Sequence, residues 1–356
     1  MEKYKILINK ITLKKIENYL TLIKKKSFLP GNRLKNSLQN IDIYNISPIQ
    51  FAEILFNTKI PQVYAESAVN GDGSDWNKIE LSILGDISIA LPVITFDNAL
   101  HSLPQIHSNP FQSILVFIPG ALLENMKGEK PADWDELVQN EKINLNGMFE
   151  LYERRFLAPF TYINLISKLI NQQAIITIPG LGCGQFSGKF RGSMGMYLKT
   201  ILIAFLKKYI NFFENIKVIY YDPFDECEND RIEIQHLSFL TRPLRKGNKD
   251  KGQLCQVVDY QDQNDNFEKL KLFSIVAWDH VSWPGNDFYI GSRTTDDGVK
   301  AAATNLMEII TGIKGYYNEK KYRYLPPKQY KNWKEVVLKN KIKFNVTNNI
   351  FLYPKN

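Results

Sequence analysis

The 356-residue sequence predicts an α/β protein with a largely parallel sheet that helices cover on both faces. Several predicted strands, such as 113–118 and 174–178, are nearly continuous in apolar residues, which is typical of strands buried on both faces. Long amphipathic segments lie between the strands, and this alternation favours parallel pairing with right-handed crossovers. Since no Gly-, Ser- or Pro-rich linker divides the chain, we expect one core domain with additions at its ends.

The individual elements follow from hydrophobic periodicity. Strands are predicted at 62–69, 87–95, 113–119, 173–178, 216–221 and 272–278. Helices are predicted at 11–26, 48–57, 147–170, 192–213 and 296–311. The resulting organisation is a basic helical N-terminal extension packed on the core (1–59), a core domain (60–315) and a basic C-terminal extension (316–356).

Charge is distributed unevenly along the chain, whose net charge is +8. Residues 1–59 carry 11 Lys/Arg and 4 Asp/Glu, and residues 314–356 carry 11 and 2. The intervening residues 60–313 are acidic, with 23 basic and 31 acidic side chains. A nucleic-acid enzyme would concentrate positive charge around its site, so we expect no nucleic-acid substrate. The basic ends are interpreted as solvated helix faces, with an anionic membrane or a partner surface as the alternative.

The cysteines and histidines give no sign of a disulfide framework or a metal site. The three cysteines are far apart without a CxxC pair, and the four histidines form no HExxH motif. Charges interrupt the N-terminal segment every few residues, so neither a signal peptide nor a membrane span is predicted. We expect a soluble protein that works in a reducing cytosol, its own or that of another cell.

A glycine-rich loop, residues 178–188, follows a buried strand and leads towards a helix. Glycines let the backbone approach a ligand closely, and successive N–H groups then favour an anion such as a diphosphate. The spacing does not fit a P-loop, and Gln185 stands where a dinucleotide fingerprint needs glycine. The alternative is a tight strand-to-helix turn without a ligand.

Four aspartates in residues 277–298 are the candidate chemical groups. Asp279 ends a predicted strand, Asp287 lies in an aromatic loop, and Asp296 and Asp297 open a helix. Cleavage of a glycosidic bond needs carboxylates that donate a proton and activate water. Each acid also has a structural alternative, because Asp287 suits a turn and the last two suit a helix N-terminus. Asp279 is hardest to explain structurally, since a buried carboxylate is costly unless it is paired.

The glycine loop resembles that of macrodomains, in which a buried strand ends in Pro before a small-residue loop. Pro179, Gly182, Gly184 and Gly188 match this pattern, and Asn98 matches an Asn near the distal ribose. The resemblance implies a macrodomain-like three-layer α/β/α sandwich with a mixed, largely parallel sheet and added terminal helices. It also implies ADP-ribose as ligand or product, with no cofactor certain and no metal. The ligand-binding residues would be Asn98, Gly182, Cys183, Gly184, Gln185, Phe186, Ser187, Gly188 and Asp296.

The acids resemble the site of the MavL-like family of divergent macrodomains, which are secreted bacterial effectors. Asp287 follows Asp279 by eight positions, and Asp297 follows Asp287 by ten. The glycine-rich loop that follows the Asn in ordinary macrodomains is absent here, so the carboxylates must come from this segment. The resemblance implies Asp279, Asp287 and Asp297 as catalytic residues that remove ADP-ribose from arginine of ubiquitin. It further implies delivery into a host cytoplasm by a route without an N-terminal signal peptide.

Two other functions remain open at this stage. A macrodomain that reads ADP-ribose without chemistry needs no cluster of acids. A binder of nucleic acid or anionic membrane would use the basic ends, and its affinity would fall steeply with salt.

Overall fold

The computed structural model describes residues 4–124, 130–344 and 346–354. Its strands, in chain order, are β1 (Lys5–Ile8), β2 (Ser88–Asp97), β3 (Ile106–Pro119), β4 (Val138–Gln139), β5 (Lys142–Ile143), β6 (Ala174–Pro179), β7 (Ile216–Asp222), β8 (Asp230–Ile234), β9 (Leu237–Thr241), β10 (Lys271–Trp278), β11 (Tyr316–Asn318), β12 (Arg323–Leu325) and β13 (Ile350–Leu352).

The helices, in the same residues, are α1 (Lys10–Lys24), α2 (Asn32–Leu38), α3 (Pro48–Phe56), α4 (Ala65–Ala68), α5 (Lys78–Gly85), α6 (Trp134–Leu137), α7 (Leu145–Leu169), α8 (Met194–Tyr209), α9 (Asp296–Ala303), α10 (Leu306–Thr311) and α11 (Trp333–Lys339). Short 3₁₀ helices are Ile43–Asn45, Gln185–Phe190, Ile210–Phe212, Val257–Tyr260 and Asn286–Ile290. None of the helices in the described residues is long and apolar enough to cross a membrane.

One nine-stranded sheet, of order β13-β1-β2-β3-β10-β6-β7-β9-β8, organises the described residues. The five strands β3, β10, β6, β7 and β9, which are adjacent in this order, are all parallel to one another. β2 is antiparallel to β3, β1 to β2 and β8 to β9, whereas β13 runs parallel to β1. This topology confirms the predicted mixed, largely parallel sheet.

The sheet lies between two hydrophobic layers. Successive residues of β3 alternate between them: Leu115 and Phe117 join one buried cluster, and Val116 and Ile118 join the other. The first cluster includes residues of α1, α3, α5 and α9, and the second includes residues of α7 and α8. Since both faces of the strand are buried, its sequence is continuously apolar. The result is the predicted three-layer α/β/α sandwich.

The predicted strand at 62–69 is wrong. Ala65–Ala68 forms a short helix, and the extended part before it makes only an isolated bridge, from Ile60 to Ser282. The N–H of Ile60 donates to the carbonyl of Val281, and the N–H of Trp283 donates to the carbonyl of Ile60. The apolar pattern of this segment therefore reflects packing against the acidic loop and not membership of the sheet.

The predicted helix at 296–311 is two helices. Thr304 is extended, with φ of −135° and ψ of 172°, and separates α9 from α10. The reason is a contact with β2, because the side chain of Asn305 accepts from the N–H of Ile94 at 2.7 Å. The boundaries at 59 and 315 stay predictions, although β1 and β13 place strands from both terminal stretches in the one sheet.

Candidate functional site

A cleft of about 350 Å³ lies where parallel strands end, at the edge where α/β proteins commonly bind ligands. One wall is the glycine loop after β6, and the other is the acidic segment from the end of β10 to the start of α9. The residues that line the cleft are Ala65, Gly180, Gly182, Gly184, Gln185, Phe186, Ala277, Trp278, Asp279, Asn286, Thr294, Thr295, Asp296 and Asp297.

Two positions of the first wall favour glycine for different structural reasons. Gly182 has φ of +71°, and a Cβ there would lie 2.7 Å from the backbone nitrogen of Ala121. Its lack of a side chain therefore permits close packing of two loops. Gly184 has φ of −85°, and a Cβ there would meet no atom within 4 Å. Gly184 instead leaves its backbone exposed at the cleft, as a diphosphate site would need.

Three other residues predicted in this loop do not line the cleft. Cys183 is buried, and the Ser187 hydroxyl donates to the carbonyls of Gly184 and Cys183 at 2.6 and 3.2 Å. Gly188 has φ of +52° and packs against the backbone of Leu123. These residues stabilise the loop from behind.

Asn98 is also not among the residues that line the cleft. Its amide donates to the carbonyl of Asp250 at 3.1 Å and accepts from the N–H of Gln105 at 3.0 Å. The Asn98 side chain is thus occupied in fixing neighbouring loops. Its predicted ribose contact remains a prediction.

Asp279 lies in the cleft wall with both carboxylate oxygens engaged. Oδ1 accepts from the N–H groups of Val281 and Ser282 at 2.8 and 2.7 Å. Oδ2 accepts from the Ser282 hydroxyl and from Asn286 Nδ2, the latter at 3.0 Å. Asn286 Oδ1 in turn accepts from the N–H of Val63 at 2.9 Å. Asp279 therefore holds the acidic loop in shape.

Asp287 lies behind the cleft. Its carboxylate accepts from the hydroxyls of Thr294 and Thr295, at 2.9 and 2.6 Å, and from both of their N–H groups. A Cβ on Gly298 would lie 2.0 Å from Asp287 Oδ1, so glycine is required there. Asp287 thus fixes the two threonines that line the cleft at the start of α9.

Asp296 lines the cleft and is partly neutralised. Its Oδ2 accepts from the N–H of Ala277 at 2.8 Å and from Lys300 Nζ at 3.0 Å. Burial lowers the pKa of Lys300, and the carboxylate of Asp296 opposes this effect. The side chain of Asp296 is 21% exposed, so its other oxygen is accessible from the cleft.

Asp297 is the least satisfied of the four acids. It is 3% exposed, and its Oδ1 accepts from the N–H of Gly285 at 2.6 Å. Its Oδ2 has no hydrogen-bond partner in the part of the chain that the structure describes. Burial raises the pKa of Asp297 well above its usual range, and the nearby carboxylates of Asp279 and Asp287 raise it further. The environment of Asp297 therefore favours the protonated form of this carboxyl group.

Two further groups were not found by sequence reasoning. Trp278 lines the cleft, and its indole N–H has no partner among the described residues. Behind it, the buried Lys59 Nζ lies 3.8 Å from the ring centroid and donates to the carbonyl of His280 at 2.7 Å. Burial lowers the pKa of Lys59 to about 7, and the carboxylate of Asp279 opposes this effect. The 221 positions between Lys59 and His280 leave no local signal for this contact.

The remaining charged residues of the acidic segment face away from the four acids. Arg293 pairs with Asp97 through two contacts of 3.0 and 2.8 Å, so its charge is used in a structural ion pair. The buried His280 has its Nε2 3.8 Å from Asp133 Oδ2 and does not contact Asp279 through a hydrogen bond. Across the described ranges, no group of three or more His, Cys, Asp or Glu side chains is arranged to hold a metal ion.

Comparison with known proteins agrees with this geometry. A search of curated proteins finds no match to the chain. A family model described as macrodomain effector MavL matches residues 4–330, a range that includes both walls of the cleft. Membership of a macrodomain family supports ADP-ribose binding. The chain therefore belongs to the MavL family of macrodomain effectors.

Proposed function

We propose that the protein hydrolyses the N-glycosidic bond between ADP-ribose and an arginine side chain of a protein, with ubiquitin as the acceptor. The observation that carries the proposal is the Asp297 carboxyl group, which lines the cleft, has an oxygen without a partner among the described residues and has a raised pKa. A buried carboxyl group with a raised pKa suits general acid catalysis.

The glycine loop binds the diphosphate in this scheme. The exposed backbone of Gly184 and the neighbouring Gln185 and Phe186 form that side of the cleft. The distal ribose then extends towards the opposite wall, where its C1″ carbon lies near the acids. This arrangement uses the backbone for binding and carboxyl groups for chemistry.

The reaction needs one proton delivered and one removed. Water adds its hydroxyl to C1″, the bond from C1″ to the guanidine nitrogen breaks, and Asp297 gives its proton to that nitrogen. The accessible oxygen of Asp296 accepts the proton of the attacking water. Asp279 and Asp287 act as positioning residues, and their negative charges keep Asp297 protonated. The same charges attract the cationic guanidinium of the leaving arginine.

Ubiquitin enters through the resemblance to MavL-like effectors, and delivery into a host cytoplasm has the same basis. The second candidate is an ADP-ribose reader without chemistry. One observation favours it, since protein donors engage the carboxylates of Asp279, Asp287 and Asp296. Among the four acids, Asp297 is then the one that distinguishes a hydrolase from a reader.

The test is incubation of the protein with ubiquitin modified on arginine and, separately, with an ester-linked ADP-ribosyl protein. We expect mass spectrometry to show free ADP-ribose and unmodified ubiquitin from the first substrate only, because an ester-linked side chain offers no cation to the acids. Cleavage of the ester alone would overturn the linkage. Tight binding of ADP-ribose with both substrates intact would establish the reader.

A further inference from the structure

The segment that begins at the last residue of β3, residues 119–123 and called here the 119–123 loop, packs directly against the glycine loop. A Cβ on Gly120 would lie 2.3 Å from the backbone nitrogen of Gly182, and the N–H of Leu123 donates to the carbonyl of Phe186 at 2.8 Å. The N–H of Gly120 donates to the carbonyl of Trp278 at 3.3 Å. This loop therefore contacts both walls of the cleft while lying outside it.

The hydroxyl group of one tyrosine makes hydrogen bonds to both loops. Tyr152, on α7, donates its O–H to the carbonyl of Leu181 at 2.8 Å and accepts from the N–H of Ala121 at 3.2 Å. The side chain is completely buried. Leu181 precedes Gly182 directly, so the tyrosine fixes the backbone on which the proposed diphosphate contacts depend.

A buried ion pair one turn further along α7 supports the same loop. Arg155 donates to the carbonyl of Gly120 at 2.7 Å and to Asp133 Oδ2 at 2.8 Å. The same oxygen of Asp133 accepts from the N–H of Leu122 at 2.8 Å. Both ionised side chains are fully buried, which is costly unless their hydrogen bonds are well made. Here those bonds hold the backbone of residues 120–122.

We propose that Tyr152 is a positioning residue for ADP-ribose binding, and that its hydroxyl sets the spacing between the 119–123 loop and the glycine loop. Without the hydroxyl, a buried carbonyl at Leu181 and a buried N–H at Ala121 lose their partner, and the loop relaxes to satisfy them. The inference rests on ADP-ribose as the ligand of the cleft, which the proposed function shares, and it does not require hydrolysis.

The chain offers a matched control. Tyr260 is also buried and makes the same pair of bonds, donating to the carbonyl of Gly252 at 2.6 Å and accepting from the N–H of Cys255 at 2.9 Å. Tyr260 and its two partners are not among the residues that line the cleft. The substitutions Tyr152→Phe and Tyr260→Phe therefore remove equivalent hydrogen bonds, one pair beside the glycine loop and one pair elsewhere.

Calorimetry with ADP-ribose and thermal unfolding decide the matter. We expect Tyr152→Phe to weaken ADP-ribose binding about tenfold, because the carbonyl of Leu181 and the N–H of Ala121 both lose a buried hydrogen bond. Tyr260→Phe should lower Tm to a similar extent and leave the affinity within about twofold of the natural protein. If hydrolysis occurs, Tyr152→Phe should raise KM while kcat at saturating substrate stays within about twofold.

Equal affinity in the two variants would overturn the proposal, whatever their Tm values. If Tyr152→Phe is too unstable for calorimetry, the shift of Tm with ADP-ribose concentration reports the affinity instead, and the same comparison applies. Failure of the proposed function is a separate result, since a protein that binds ADP-ribose without cleaving it still tests Tyr152.

Discussion

The two walls of the cleft present different parts of the chain. In the glycine loop the backbone faces the cleft at Gly184, while the polar side chains of Cys183 and Ser187 are buried behind it. In the acidic segment, side chains such as those of Asp296 and Asp297 line the cleft. The backbone N–H groups of Val281 and Ser282 instead donate to Asp279 within the same loop.

This difference determines how each wall responds to substitution. A backbone site tolerates loss of side chains and fails when added atoms fill the space. A side-chain site fails when one functional group changes, even if its shape is kept. Within the acidic wall the same contrast recurs, because Asp279 is saturated by protein donors and Asp297 keeps an oxygen without a partner in the described residues.

The largest effect is expected from Asp297→Asn. Turnover should fall on the order of a thousandfold, because the amide keeps the shape but cannot deliver a proton. ADP-ribose affinity should change less than about threefold. The substitution should also stabilise the fold. With a raised pKa, the folded state holds a proton that the unfolded chain releases, so the free energy of unfolding falls as pH rises from the unfolded to the folded pKa.

Since asparagine does not ionise, Tm at neutral pH should rise by about one to two degrees, on the order expected in a chain of this length for a change of about 1 kcal/mol. Steady-state kinetics, calorimetry and thermal unfolding measure the three quantities. Asp135→Asn is the control, because that exposed side chain pairs with the exposed Lys130 on the surface. Unchanged turnover in Asp297→Asn would remove the assignment of the proton donor.

The next effect concerns the other wall. Gly184→Val should weaken ADP-ribose binding by at least about a hundredfold, because its side chain would project from the exposed backbone into the space of the diphosphate. The fold should stay intact, since a Cβ at this position meets no atom within 4 Å. Calorimetry on a variant with an unchanged circular dichroism spectrum is the measurement. Gly184→Ala should give a smaller loss, and equal affinity in all three proteins would reject the diphosphate site.

The smallest effect is a shift in pH dependence. Turnover should fall as pH rises through the raised pKa of Asp297, because the proton-donating form is then lost. In Asp279→Asn this fall should move to lower pH, since one of the carboxylates that raises the pKa is removed. Each profile is compared with its own maximum, so a general loss of activity does not matter. A fall that moves to higher pH, or a rise of turnover with pH in the natural protein, contradicts this role of Asp297.

The sequence supports prediction of the central strands and the two walls, because both depend on local patterns. Continuous apolar runs such as 113–119 mark strands buried on both faces, and glycines mark the loop. The direction of a side chain is not a local property. Ser187 and Asp287 have the residue types of a site, yet one bonds to the backbone behind its loop and the other to Thr294 and Thr295.

Residues that act at long sequence separation were not predictable for the same reason. Tyr152 lies in a segment typical of an amphipathic helix, and Lys59 lies near the end of another helix. Only the fold brings Tyr152 against Leu181 and Lys59 against Trp278, at the walls of the cleft. The apolar stretch at 62–69 misled because apolar residues also occur where a segment outside the sheet packs on a loop, as Val63 does on Asn286.

The position of β13 has a consequence for hydrogen exchange. β13 lies at one edge of the sheet and has β1 as its one partner in the residues that the structure describes, whereas β3 and β10 have a hydrogen-bonded strand on each side. Opening of the sheet from this edge exposes the amides of β13 first and those of β1 next, and reaches β3 only after β2 separates. The cleft depends on the ends of β3, β6 and β10. Fraying at this edge of the sheet thus exchanges amides without disturbing the ligand site, and only a deeper opening abolishes binding.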